Sequence, residues 1–227
     1  MTASRQDQAL AGRLGLPVKN WSKLQWLVHL SAWLILAKLI WDYSSGNLSV
    51  NPIQAATQRT GKTALVFLML SLACTPLSRL LDWKPLLKAR RTLGLYAFWF
   101  ALSHLFIFVV IDFGIDLRLL WIELTQKRYV WVGVGAFSIL LVLAITSYPY
   151  WMKRLGKNWK KLHRLVYLAA ILVVIHYAWA RKGDIFRLQG DIIQPLIFGL
   201  VLFILLLMRL PQIRRLIRLG KSLLERL

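Results

Sequence analysis

The chain has little of what disulfide-built, metal-clustering or acid–base proteins rely on. It has one cysteine, Cys74, among 227 residues, so it can form no internal disulfide and assemble no thiolate cluster for zinc or iron–sulfur. Cys74 sits in an apolar segment and reads as a small packing residue. Acidic residues are also scarce, 9 against 30 Lys and Arg, which leaves a formal charge of +21. The few carboxylates fall in loops, tails or near the ends of apolar runs, as Asp112 does. The apolar runs therefore carry no carboxylate to complete a zinc site with histidine. Nor do they carry the intramembrane acids expected of a proton-coupled transporter or channel using histidine relays, which is the rival reading. There is no low-complexity tract, no interdomain linker and no evident repeat, so one domain is the simplest description.

What the chain has in quantity is apolar sequence, 58% of its residues. Six runs approach the about 20 residues that span a bilayer as a helix. They are approximately Leu24–Trp41, Thr63–Leu81, Leu93–Phe113, Tyr129–Tyr148, Leu162–Trp179 and Ile192–Leu210. The expectation is an all-α integral membrane protein with six transmembrane helices. Lys38 lies near the end of the first run and can snorkel to the interface. Pro76 lies near the end of the second and Pro195 in the first turn of the sixth, where a missing N–H is tolerated. Most of the 11 tryptophans cluster near run ends, as an interfacial belt does.

Basic residues set the expected orientation. They crowd the N-terminus (Arg5 to Lys23), the second connection (Arg79 to Arg91), the fourth (Lys153 to Arg164) and the C-terminus (Arg209 to Arg226). The alternate connections hold far fewer, so the positive-inside rule puts both termini in the cytoplasm. Three parts follow: a polar segment 1–23, a membrane domain 24–210, and a basic amphipathic tail 211–227 suited to anionic lipid. The first run is long, with no small-residue cleavage site after it, and reads as a retained helix rather than a signal peptide. Charge placed between apolar runs signals topology and lipid contact, not a nucleic-acid partner.

The four histidines are the candidate chemistry, because a costly ring in a membrane segment faces the bundle interior and has a partner, and histidine is a usual axial ligand of haem iron. His163 opens the fifth run at the cytoplasmic edge, and His176 lies about 20 Å further along the axis. His104 is roughly 16 Å into the third run, so His104 and His176 differ in depth by only about 5 Å and can pair across the bundle. His29 is roughly 8 Å into the first run, a level that only His163 approaches. On an ideal helix His163 and His176 are about 140° apart, so they do not share one face. These depths make a transmembrane electron-transfer cytochrome the leading reading, ahead of the transporter and of a cofactor-free anchor.

The surrounding motifs carry a resemblance. Thr60-Gly61-Lys62-Thr63-Ala64-Leu65 and Thr75-Pro76-Leu77 bracket the second run, and Arg90-Arg91-Thr92-Leu93-Gly94-Leu95 leads into the third. Leu155 to Tyr167 (LGKNWKKLHRLVY) opens the fifth and Ile175-His176-Tyr177 closes it. In this order and spacing, from about Trp21 to Arg215, the chain resembles the MsrQ (YedZ) family, the haem-binding membrane subunits of bacterial periplasmic methionine sulfoxide reductase systems. That family is similar to the ferric-reductase-like transmembrane domains, which include the NADPH oxidase core. The resemblance implies haem b, one or two, between the third and fifth helices, with His104, His176 and His163 as iron ligands. It implies a bacterial inner-membrane location and a donor that is either quinone or a cytoplasmic flavin reductase. The implied partner is a periplasmic molybdenum-cofactor catalytic subunit that reduces methionine sulfoxide in oxidised proteins, so this chain would hold no sulfoxide-reducing site of its own. FMN comes with the family too, though no phosphate-cradling glycine loop is present. The wider superfamily has a second histidine on the third helix where this chain has Arg90. An inner haem would then use His163 with another ligand, and His29 is the candidate by depth.

Overall fold

The computed structural model describes residues 22–181, 183–184, 189–190, 192–213 and 215. The segment 1–21 and most of the amphipathic tail lie outside the described residues. Helix α1 is Lys23–Ser44, α2 is Pro52–Leu80 and α3 is Pro85–Phe106, which continues through a π-helical turn, Ile107–Asp112. Then come α4 (Leu117–Gln126), α5 (Arg128–Ile145), two short helices α6 (Pro149–Leu155) and α7 (Lys157–Leu162), and α8 (Leu165–Ala180). A pairing of Gly183–Asp184 with Gln189–Gly190 precedes α9, Ile193–Leu207.

Local chemistry explains the helix starts. Ser22 caps α1 in a capping box with Gln25. The Asn51 side chain accepts from the Gln54 N–H and Pro52 opens α2, so this helix begins well before the apolar run that starts at Thr63. Asp116 caps α4, which forms inside what hydropathy alone reads as an outer connection.

Five segments are long and apolar enough to cross a membrane: Lys23–Ser44, Pro52–Leu80, Pro85–Asp112, Arg128–Ile145 and Lys157–Ala180. The sixth apolar helix, α9, has 15 residues, about 22 Å of rise. This is a helical membrane protein, and its outward faces carry large apolar side chains such as Trp33, Ile40, Leu200 and Phe203. The core gathers on α2, where Leu65, Leu68 and Leu72 are fully buried at helical spacing. Facing helices meet it through small residues: Ala97 of α3 and Ala169 and Ala170 of α8 are 0% exposed. The most extensive helix contacts are α2 with α3 and α5 with α8.

Two basic residues singled out in the sequence have specific partners. Lys38 lies 3.2 Å from Asp42, which Arg59 of α2 also contacts. Arg209, counted in the sequence among the basic residues of the C-terminus, turns into the bundle. Its Nη2 donates to the Leu72 carbonyl at 2.6 Å, and its Nη1 donates to the Tyr167 hydroxyl at 2.7 Å. In an α-helix the Leu72 carbonyl would accept from residue 76, but Pro76 has no N–H to give. The guanidinium supplies the donor that the proline removed.

Candidate functional site

The centre of the site is the pair His104 and His176. Their ring centroids are 6.1 Å apart with an interplanar angle of 84°. His104 lies near the end of α3 and His176 near the end of α8, yet those two helices are not among the extensively packed pairs. Close packing of α2 on α3 and of α5 on α8 holds each histidine from behind, and the rings meet across the space between.

Each ring is fixed by a backbone carbonyl. His104 Nδ1 is 2.8 Å from the Thr57 carbonyl of α2, and His176 Nδ1 is 2.8 Å from the Tyr129 carbonyl of α5. A carbonyl only accepts, so Nδ1 must carry the proton in both rings, and each Nε2 presents a lone pair. This is the arrangement that metal-ligating histidines adopt, with the far nitrogen donating to a carbonyl and the near one free to bind.

The separation also suits one metal ion. An imidazole nitrogen stands about 2 Å from a first-row metal and the ring centre about 1 Å further, so two imidazoles on opposite sides of one ion have centres about 6 Å apart. Among the described residues no group of three or more His, Cys, Asp and Glu side chains gathers as a metal site. The donor set here is therefore two neutral imidazoles, which fits an ion whose other ligands come from a planar macrocycle. The backbone widens into the π-helical turn Ile107–Asp112 directly after His104.

The other two histidines are held differently. His163 Nε2 lies 3.1 Å from the Thr146 hydroxyl, and its ring lies 4.1 Å from that of Trp159, tilted by 31°; the indole N–H of Trp159 donates to the Thr146 carbonyl at 2.8 Å. His29 Nδ1 lies 2.7 Å from the Tyr96 hydroxyl of α3. No ring contact joins His29 to His163 among the described residues. The guanidinium of Arg90, on α3, donates to the Thr75 hydroxyl of α2 at 3.3 Å.

Residues 60–174 match the family model described as ferric reductase like transmembrane component. The chain is 39% identical over 184 residues to the protein-methionine-sulfoxide reductase heme-binding subunit MsrQ of Herminiimonas arsenicoxydans, covering 81% of this chain and 82% of that one. The chain belongs to the MsrQ family. The same named subunit of Rhodospirillum rubrum is 39% identical over 185 residues, covering 79% of this chain and 86% of the relative. That of Pectobacterium atrosepticum is 38% identical over 201 residues, 88% of this chain and 98% of the relative. The ferric-reductase-like match takes in His104 and His163, stops just short of His176, and leaves His29 outside. Missed by sequence reasoning were the acceptors of this MsrQ-family site, Thr57 and Tyr129, because a main-chain carbonyl leaves no mark on residue identity.

Proposed function

We propose that this chain is a haem-binding, electron-transfer subunit of a protein methionine sulfoxide reductase system, with His104 and His176 as axial ligands of one b-type haem. The observation that carries this reading is the ring pair 6.1 Å apart with both Nδ1 atoms committed to helix carbonyls. Haem b bound there supplies one-electron redox chemistry whose potential depends on its ligands and burial. The residues of this chain do the rest. Thr57 and Tyr129 hold the imidazole tautomer and orientation, and the apolar walls of α3, α5 and α8 keep water from the centre.

In the same reading six helices cross the bacterial inner membrane with both termini in the cytoplasm, the charge distribution being the support. The segment 1–23 precedes the membrane domain 24–210, and the tail 211–227 lies on anionic lipid. Electrons enter from quinone or a cytoplasmic flavin reductase and leave to a periplasmic molybdenum-cofactor catalytic subunit, which performs the sulfoxide chemistry. His163 serves a second, inner haem, with His29 as the candidate partner. FMN remains a family expectation to which no residue of this chain is assigned.

The test is the absorption spectrum of the purified full-length protein, oxidised and dithionite-reduced. A Soret band and a sharp reduced α-band are expected, and the combined substitution His104→Ala with His176→Ala should remove the component they ligate. A protein with no such bands is not a cytochrome, and a spectrum that survives the double substitution refutes the ligand assignment.

A further inference from the structure

A helical carbonyl already accepts the N–H of the residue four positions on. Its second lone pair is open sideways, but the side chain of that same later residue stands beside the approach. Four residues after Thr57 is Gly61, and four residues after Tyr129 is Gly133. A Cβ on Gly61 would lie 2.9 Å from Nδ1 of His104 and 3.2 Å from its Cε1. A Cβ on Gly133 would lie 2.7 Å from Nδ1 of His176 and 2.8 Å from its Cε1. In each ring Nδ1 is the atom that makes the carbonyl hydrogen bond, so the rings cannot move away and keep it.

Gly135 and Gly199, also in the bundle, do not behave this way. A Cβ on Gly135 would meet Leu172 at 4.0 Å and one on Gly199 would meet Val174 at 3.8 Å, both ordinary contacts. A weaker instance of the same relation supports the geometry. The Ser71 hydroxyl donates to the Arg90 carbonyl at 2.9 Å beside Gly94, four residues further along, where a Cβ would lie 3.4 Å from Oγ.

We propose that Gly61 and Gly133 are positioning residues for the two iron ligands, and that the site is built from two copies of one device. Each copy is a helix carbonyl, a glycine one turn later that clears the approach to it, and a histidine 47 residues after the carbonyl. Thr57, Gly61 and His104 form the first copy on α2 and α3, and Tyr129, Gly133 and His176 form the second on α5 and α8. The order and spacing are the same in both, and each copy spans one of the two most extensive helix contacts. The role of the glycines rests on the haem reading above. By keeping Nδ1–H on a carbonyl they make Nε2 a stronger donor to iron and fix the plane of the ring.

The test uses the full-length protein in detergent. Gly61→Ala and Gly133→Ala should each shift the midpoint potential in the positive direction, because weaker donation stabilises the ferric form less, and should move the low-spin electron paramagnetic resonance g-values. Gly135→Ala and Gly199→Ala should leave both as in the parent. If Gly61→Ala and Gly133→Ala match the parent in potential and g-values, the proposal is overturned. A second arm needs no haem. Gly61→Ala should lower the thermal midpoint in the parent background but not in His104→Ala, where no ring meets the new methyl and alanine is the better helix former. The same holds for Gly133→Ala with His176→Ala, including rescue of any variant that fails to accumulate. An equal loss in both backgrounds overturns the proposal. A parent without haem bands would sink the functional reading alone, since this stability cycle still judges the glycines.

Discussion

The His104–His176 site and the region around His163 and His29 hold their imidazoles by different means. The first pair leans on carbonyls, which can only accept, so the tautomer is dictated by the backbone. The second two lean on hydroxyls, Thr146 for His163 and Tyr96 for His29, and the Thr146 hydroxyl itself donates to the Val142 carbonyl at 2.7 Å. For His163 the nitrogen used differs as well, whereas His29 uses Nδ1. His163 engages Thr146 through Nε2, so a ligand role through that atom requires the contact to be exchanged. One region holds its rings on main-chain carbonyls and the other on side-chain hydroxyls. In a membrane interior, where few polar partners exist, a carbonyl acceptor is the firmer way to hold a neutral imidazole.

The comparison can be broken most sharply at the ligands. His104→Ala or His176→Ala should each abolish the haem component they share, read as haem per protein and as the reduced α-band. His163→Ala should leave that component intact and reduce only a second one. Equal losses from all three would erase the distinction. Arg209→Ala comes next. It should cost about 1–3 kcal/mol of stability, because the Leu72 carbonyl loses its donor. Pro76→Ala restores an N–H at that position, so Arg209→Ala should cost clearly less in that background, as thermal unfolding of the four proteins in detergent would reveal. Thr146→Val should free Nε2 of His163 and alter only the spectral component assigned to the inner site. If His29→Ala changes neither haem stoichiometry nor spectrum, His29 is no ligand. Tyr96→Phe should have the smallest effect, about 1 kcal/mol, from one lost hydrogen bond.

Much of this was readable in advance, and the failures have identifiable causes. The apolar runs located the long helices because a bilayer demands length and hydropathy together. They misplaced the start of α2, because Gln54, Gln58, Arg59 and Lys62 are polar, although Asn51 and Pro52 mark that start by capping. They missed α4, a short helix signalled only by its Asp116 cap. Depth counting matched His104 with His176, since rise per residue depends little on neighbours. It also put His29 level with His163, and in the structure each of these rings has a hydroxyl partner. The repeated carbonyl–glycine–histidine device escaped notice because Thr57 and Tyr129 share no side-chain chemistry.

From the sequence alone came the membrane class, the location of the long apolar helices, the family and the pairing of two histidines by depth. Those properties are local or periodic, and they follow from composition and rise per residue. Only the tertiary structure decided which nitrogen of His104 and of His176 is protonated, why Gly61 and Gly133 must lack a Cβ, and that Arg209 replaces the hydrogen bond Pro76 cannot make. Each of these depends on a main-chain atom meeting a side chain from a distant helix, and no run of residues encodes that meeting until the helices pack.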